Sequence, residues 1–380
     1  MLPEGLSDLL DPHAAAEAKL VELLSYSFYL NGYDRVSPPV LEFEDTLLAG
    51  IGAATSNRIF RIVDPSSQRV LGIRADVTAQ IARIASSGLK TINRPLRLMY
   101  AGQVFRVQGH SLRPERQFTQ VGCELIGPDT IAADAEALIV AIQALLDVGL
   151  LDITIDLSMA PLVTCLLTEC GITSLNENSS LYLALNQKDI AKIQSLLGEK
   201  GDVFIDLVNA SGPLDYAQKK MNCIDLPDKA KSHVERLFSV GSIIKSEFPQ
   251  CSVSADFVEN RGLNYHSGLT FCIISSITKH EVGRGGRYMI KHAGEELEPA
   301  TGLTLFMDKV LPEFSYSESL PSICVPLATK QIKISELKNK GYRVRRALSV
   351  NKDLLTEAIL LDCSYILSNN DEIRVNKSES

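Results

Sequence analysis

Residues 95–127 read PLRLMYAGQVFRVQGHSLRPERQFTQVGCELIG, and the rest of the chain is best understood from them. Two strand-like runs, 97–107 and 116–126, flank a basic loop. Side chains of a strand alternate between its faces, so Arg116, Phe118, Gln120, Gly122, Glu124 and Ile126 share one face of the second run. Gln120 and Glu124 then point the same way across Gly122, which predicts a shallow slot with an amide and a carboxylate at its ends. The loop 108–115 carries Arg113, Pro114 and Glu115, with Arg106 and Arg116 at its mouths. Cations above and a carboxylate below suit a small zwitterion. The same alternation fits a half-exposed antiparallel hairpin with a polar outer face, and the pattern alone leaves both readings open.

Around this hairpin lies a chain of 380 residues, long enough for a sizeable core and more than one domain. Hydrophobic residues make up 45% and charged residues 22%, an ordinary globular composition. A net charge of −8 argues against broad nucleic-acid binding, which leaves a basic footprint. The opening MLPEGLSDLLDP has no basic n-region and no apolar h-region, and the apolar stretch 138–151 is interrupted by Gln143 and Asp147. Both points predict a cytoplasmic protein without a membrane span. The eight cysteines are scattered, and the pair Cys165 and Cys170 has no matching second pair, so free buried thiols are expected rather than a zinc site.

Taken in order, Asp11-Pro12 before an Ala-rich run predicts a capped helix to about Asn31, stopped by Gly32. The segment 33–41, with Pro38-Pro39, predicts an edge or interface strand. Residues 49–57 read as a loop, and strands at 58–63 and 69–73 are joined by Asp64-Pro65-Ser66-Ser67. RADVTAQIARIASSG places Asp76 at a helix N-cap, with its second oxygen available to an amine. Asp129 is expected to cap the helix that Gly149 ends, and a strand follows at 151–157. Residues 159–250 are mostly helical in pattern, at 161–170, 180–185, 187–197, 203–209 and 229–248, and read as an insertion. Strands return at 252–258 and 265–274, around ENRGLNYHSG. HEVGRGGRYMI allows a tight backbone approach but has neither dinucleotide-fingerprint nor P-loop framing. The segment 299–311 is expected to be a helix, 312–322 a linker, and 323–380 a small α/β domain of β-α-β-α-β pattern with a disordered tail, NKSES.

Several separated motifs together resemble one family. GQVFR and RPERQFTQVGCELIG resemble motif 2 of class II aminoacyl-tRNA synthetases in its histidyl form. ENRGLNYHSGLTF resembles the histidine-specific RGLDYY segment, RADVTAQIAR the LRPEGTA segment, and GRGGRY with PATGLTLFMDK the motif 3 region. Residues 1–311 are covered in the right order. RPERQFTQVGCELIG and IRADVTAQIARIA are more similar still to the synthetase-like paralogues that serve as regulatory subunits of ATP phosphoribosyltransferase. The resemblance implies an α+β fold: a class II synthetase-like antiparallel sheet flanked by helices, with a core at 1–158 and 251–311.

The resemblance also implies a histidine pocket lined by Asp76, Thr78, Arg106, Gln120, Glu124, Arg261, Tyr265, His266 and Tyr288. A neutral imidazole has one donor and one acceptor nitrogen, which a carboxylate, an amide and tyrosine hydroxyls can read. Asn264 and His266 depart from the family's aspartate and tyrosine, while Arg261 is retained as in the synthetase. On the nucleotide side, Gln108 replaces the glutamate that reads the adenine amino group, and Phe306 fills a small position. Lys309 replaces the arginine that stacks on adenine, and lysine has no planar guanidinium. Gln108, Arg113, Arg116 and Lys309 thus outline a vestigial nucleotide site. The family implies a non-catalytic subunit with no cofactor, L-histidine as allosteric ligand, and a short-form ATP phosphoribosyltransferase catalytic subunit as partner in a hetero-octamer. It further implies a homodimer through the class II core and no tRNA. A truncated histidyl-tRNA synthetase and a stand-alone histidine sensor are the competing readings.

Overall fold

The computed structural model describes residues 1–49, 56–109, 114–172, 179–259, 265–292, 296–316, 320–349, 353–369 and 371–375. Arg113, Arg261 and Asn264 lie outside the described residues, as do most of the 49–57 loop and the NKSES tail. The chain forms two compact units, Met1–Phe314 and Ser315–Ser380.

The first unit is built on a nine-stranded sheet. Across it run Asp34–Arg35, Leu96–Phe105, Gln117–Ile126, Leu297–Phe306, Glu281–Lys291, His266–Ser275, Ile153–Met159, Ser252–Asp256 and Gly212–Pro213. The pairings are antiparallel except at Asp34–Arg35 with Leu98 and Met99, and at Ile153–Met159 with Ser252–Asp256. The segment with the two prolines contributes only Asp34–Arg35, at one end of the sheet, before the chain turns away. Prolines lack the N–H that a continued ladder requires. Strands Leu41–Phe43, Phe60–Val63 and Val70–Ile73 form a separate small antiparallel sheet.

Both faces of the long sheet are covered. On one, Val121, Ile155, Leu157, Leu269 and Leu303 pack with Leu138 and Leu145 of the helix Ile131–Asp147 and Leu20 and Leu24 of the helix His13–Leu30. On the other, Ile81 and Ala85 of the helix Thr78–Ser86 pack over Leu98, Tyr100, Phe118, Ile126 and Tyr288. Every residue from Phe118 to Ile126 is buried, which decides against the half-exposed hairpin.

Covering both faces explains a misread element. The segment 299–311, expected as a helix, is the strand Leu297–Phe306 followed by one helical turn, Met307–Val310. A strand buried on both sides loses its alternation and becomes a short apolar run, indistinguishable by period from a buried helix. Two caps also differ from expectation. Thr130, not Asp129, starts the helix Ile131–Asp147 by accepting from the Ala133 N–H at 3.2 Å. Asp129 is instead paired with Arg236 at 2.8 Å and Arg287 at 3.4 Å. Pro12 precedes the helix His13–Leu30, with no side-chain cap from Asp11.

The described residues of 159–250 form six α-helices, Ala160–Glu169, Ser180–Asn186, Ile190–Leu197, Asp202–Ala210, Leu214–Met221 and Asp228–Glu247, besides the edge strand Gly212–Pro213. They belong to the first unit, and Leu207, Leu237 and Ile244 share a core with Ile155 and Leu157. The helix Leu214–Met221, not anticipated from sequence, buries Leu214, Ala217 and Met221 along one stripe.

The second unit carries a four-stranded sheet in the order Arg343–Arg346, Ser322–Val325, Tyr365–Ser368 and Asp371–Arg374, with helices Gln331–Asn339 and Leu354–Leu360. The first three strands are parallel, as β-α-β-α-β requires, and the unanticipated fourth is antiparallel. Among the described residues no helix is long and apolar enough to cross a membrane, and no cluster of His, Cys, Asp and Glu could hold a metal ion.

Candidate functional site

The site occupies the sheet face beneath the helix Thr78–Ser86. Directly paired residues of neighbouring strands share a face. Leu98, Glu124, Gly302, Gly286 and Thr270 lie opposite one another across five consecutive strands. A parallel row holds Tyr100, Gly122, Thr304, Arg284 and Cys272, and another holds Ile126, Ala300, Tyr288 and His266. Glu124 leans over Gly302, where a methyl group would overlap its carboxylate. Only glycine leaves that room.

Gly122 does not open a slot between Gln120 and Glu124. The Tyr100 ring fills the space, so that a Cβ on Gly122 would lie 2.5 Å from the ring. The Tyr100 hydroxyl meets Thr304 Oγ1 at 2.7 Å and Thr78 Oγ1 at 3.4 Å. Tyr100 and Thr304 were not singled out from sequence. The hairpin register, which sets Tyr100 against Gly122, would have revealed the first.

Gln120 and Asp76 work together. The Gln120 amide donates to Asp76 Oδ2 at 2.9 Å and its carbonyl accepts from the Val77 N–H at 3.1 Å. Asp76 Oδ1 accepts from the Thr78 N–H at 2.9 Å, one residue before the position assigned from sequence, since Val77 is the N-cap residue. A fully buried amide with both ends bonded fixes the start of the helix over the pocket.

Glu124, 1% exposed, accepts a hydrogen bond from the Tyr288 hydroxyl at 2.9 Å. Burial pushes its carboxyl up to about 8; hydrogen bonds from Tyr288 and Thr78 oppose the rise, and the Asp76 carboxylate adds to it. Burial likewise raises the hydroxyls of Tyr100, Tyr265 and Tyr288, with the charge of Glu124 contributing. Tyr265 stacks on Tyr288 with centroids 5.4 Å apart, and the His266 ring stands edge-on to Tyr265 at 4.6 Å. Burial lowers His266 to about 4, and its Nδ1 has no hydrogen-bond partner among the described residues.

The structure therefore brings Asp76, Thr78, Gln120, Glu124, Tyr265, His266 and Tyr288 onto one face. The arginines assigned to the hairpin mouth divide. Arg106 lies over the Phe118 ring at 4.8 Å, and Phe118 meets Phe306 edge-on at 6.2 Å. Arg116 binds the N-terminal segment through the Glu4 and Gly5 carbonyls and lies over the Phe60 ring of the small sheet. Lys309 lies 3.5 Å from Glu115 and 3.4 Å from Asp308, and Gln108 is exposed. Two carboxylates and several hydroxyls around an apolar aromatic wall suit a ligand with an ammonium group and a small ring bearing a donor and an acceptor. A separate groove of about 470 Å³, lined by Asn31, Arg97 and Glu136 among others, lies away from this face, and there Arg97 and Glu136 pair with each other.

Comparison with known proteins agrees with this architecture. A profile of the histidyl-tRNA synthetase family matches residues 5–310. The ATP phosphoribosyltransferase regulatory subunit of Paramagnetospirillum magneticum is 41% identical, over 97% of this chain and 96% of its own. That of Rhodospirillum centenum is 40% identical, over 96% and 94%. A crystal structure described as an ATP phosphoribosyltransferase regulatory subunit/histidyl-tRNA synthetase from Bacillus halodurans superposes with a TM-score of 0.78 at 21% identity, covering 95% of this chain and 96% of that one. Histidyl-tRNA synthetase from Nostoc sp. PCC 7120 gives 0.76 at 17% identity, covering 97% and 91%. The chain belongs to the family of ATP phosphoribosyltransferase regulatory subunits, with the class II fold of histidyl-tRNA synthetase.

Proposed function

We propose that this chain is the non-catalytic partner of a short-form ATP phosphoribosyltransferase, that the catalytic subunit depends on it for activity, and that it carries the feedback signal of histidine. Glu124 is the observation that supports this most: a buried carboxyl held by Tyr288, beside the Asp76–Gln120 pair, with the polar chemistry an amino acid requires. Asp76 takes the ligand's ammonium, and Glu124 with Tyr288 and Tyr265 takes its imidazole. Arg106 and Arg261 are proposed for the carboxylate. An effector acts only through unequal affinity for two states of a complex, so histidine favours the inhibited state.

The departures from the synthetase pattern at Gln108 and Lys309 support a regulatory rather than a catalytic role. Gln108 and Lys309 stand where adenine would be read, and Lys309 is engaged with Glu115 and Asp308. No cofactor and no tRNA are assigned. The sheet ends at the two-residue strand Asp34–Arg35, and Tyr26, Tyr29 and Leu30 are exposed on the preceding helix, which supports dimerisation along that edge. Assembly with the catalytic subunit into a hetero-octamer, in the cytoplasm, completes the proposal.

Titration calorimetry of the purified chain with histidine and with ATP tests it, together with restoration of ATP and phosphoribosyl-pyrophosphate condensation by the catalytic subunit. Histidine binding without ATP binding is expected. Histidine-dependent ATP–pyrophosphate exchange by the chain alone would establish a synthetase instead.

A further inference from the structure

We propose that the pocket binds its ligand's imidazole as a one-proton pair with Glu124, so that affinity peaks where the free carboxyl still holds its proton and the free imidazole does not. The proposal rests on the histidine reading above. Its basis is the company Glu124 keeps. Among the described residues it is bonded by hydroxyls and approached by a second carboxylate. Among the described residues no cation balances the charge of a buried carboxylate there.

An imidazole alters this in one of two equivalent ways. Either protonated Glu124 donates to the acceptor nitrogen, or the proton crosses and an imidazolium faces a carboxylate. Both forms hold one proton, and the other ring nitrogen donates to a hydroxyl oxygen. In either form the pair is neutral overall, which is what a site buried to this degree tolerates. A second proton, or none, would leave one uncompensated charge inside.

Other ionisable groups surround Glu124. Tyr100, Tyr288 and Tyr265 face it from three elements, and Cys123 is its neighbour on the strand; all are raised by burial. His266, across from Tyr288, titrates near 4. Asp76 faces it from the helix start, and the strand Leu297–Phe306 offers only Gly302 and Thr304.

The bell then has two edges, one set by the ligand's imidazole and one by buried Glu124. Free imidazole titrates at roughly 6.5, and Glu124 at about 8. Affinity is highest near neutral pH and falls several-fold towards pH 5.5, and again towards pH 9 from Glu124 alone. A side chain with a permanent cation would instead expel about 0.9 proton from Glu124 at pH 7. A neutral polar side chain would show the alkaline edge and no acidic one.

Titration calorimetry of the full chain with L-histidine at pH 5.5, 7.25 and 9, each in two buffers of different ionisation heat, tests the proposal. Net proton exchange near zero at pH 7.25 and release approaching one proton at pH 5.5 are expected. The Glu124→Gln variant shares the alkaline loss caused by the ligand's own ammonium, so the extra weakening of the wild type at pH 9 isolates Glu124. If that variant does not fold, the wild-type proton counts at pH 5.5 and 7.25 decide alone. Binding with a flat profile, or release or uptake near one proton at pH 7.25, overturns the proposal and leaves the histidine assignment standing. No heat at any pH overturns that assignment, and the proposal with it.

Discussion

Replacing Gly302 by alanine separates a pocket built around Glu124 from an ordinary buried strand. A Cβ at Gly302 would overlap the Glu124 carboxylate and come within 2.8 Å of the Cys123 carbonyl oxygen. The carbonyl belongs to the neighbouring strand, held in register by bonds on both sides, and cannot retreat. The carboxylate must move, and Tyr288 then loses its acceptor. Stranding a buried donor costs about 1–3 kcal/mol. Overpacking a core adds about 1–3 kcal/mol. A total of about 2–6 kcal/mol is expected in denaturant unfolding, with histidine affinity reduced more than tenfold in calorimetry. Gly88→Ala is the control, because its nearest neighbour would be 3.9 Å away, and it should unfold like the wild type. A Gly302→Ala protein with unchanged stability and unchanged histidine affinity would refute the placement of Glu124 over that glycine.

Without ligand, Glu124 also makes the fold sensitive to alkali. Its folded value of about 8 lies above its unfolded value, so the folded state binds the extra proton and stability from this group falls as pH rises from about 4.5 to 8. Glu124→Gln should flatten that part of the stability curve, by a few kcal/mol at most, in urea titrations at pH 5 and pH 8. Lys309→Ala should leave the activity of the complex within about twofold of wild type in a condensation assay, since a partly exposed ion pair with Glu115 is worth roughly 1 kcal/mol or less. Asp134→Ala should destabilise by about 3 kcal/mol in chemical unfolding, because buried Arg287 keeps only its longer pairing with the exposed Asp129 carboxylate. Thr130→Ala should lose about 1 kcal/mol and Asp129→Ala less, which would confirm by thermal melting which of them caps the helix.

The fold class and the shared face of the candidate site were legible, but for different reasons. Period-two alternation put Gln120 and Glu124 on one face, and that face is where they lie. Alternation could not show that the opposite face is also covered, because Val121 and Cys123 read as apolar whatever they pack against. The same blindness turned 299–311 into a helix. Cap residues misled where tertiary partners claimed them, as Arg236 and Arg287 claim Asp129. The Gly122 slot failed because a glycine marks close approach without saying what approaches; here it is Tyr100 rather than a ligand. Arg116 was grouped with the pocket by its parity, yet its partner is the chain's own beginning, which no local pattern encodes.

The strand Glu281–Lys291 joins the pocket to the helices behind it. Tyr288 projects into the site, while the preceding Arg287 projects to the opposite face and is 2% exposed there. Its guanidinium bonds Asp134 at 2.7 Å and the Pro128 carbonyl at 3.0 Å. Asp134 also holds Arg236 of the helix Asp228–Glu247. Breaking such a buried pair is far costlier than tilting a side chain. A ligand that displaces Tyr288 by rotating its ring leaves this network intact, and its effect stays within the pocket. A ligand that shifts the strand itself must carry Arg287, Asp134 and the helix bearing Arg236 along with it. Only the second kind of movement reaches the surface of the 159–250 region. Deuterium exchange along Asp228–Glu247, measured with and without histidine, distinguishes the two: protection that changes at Arg236 marks the strand as the moving part, and protection confined to residues 76–86 marks the ring.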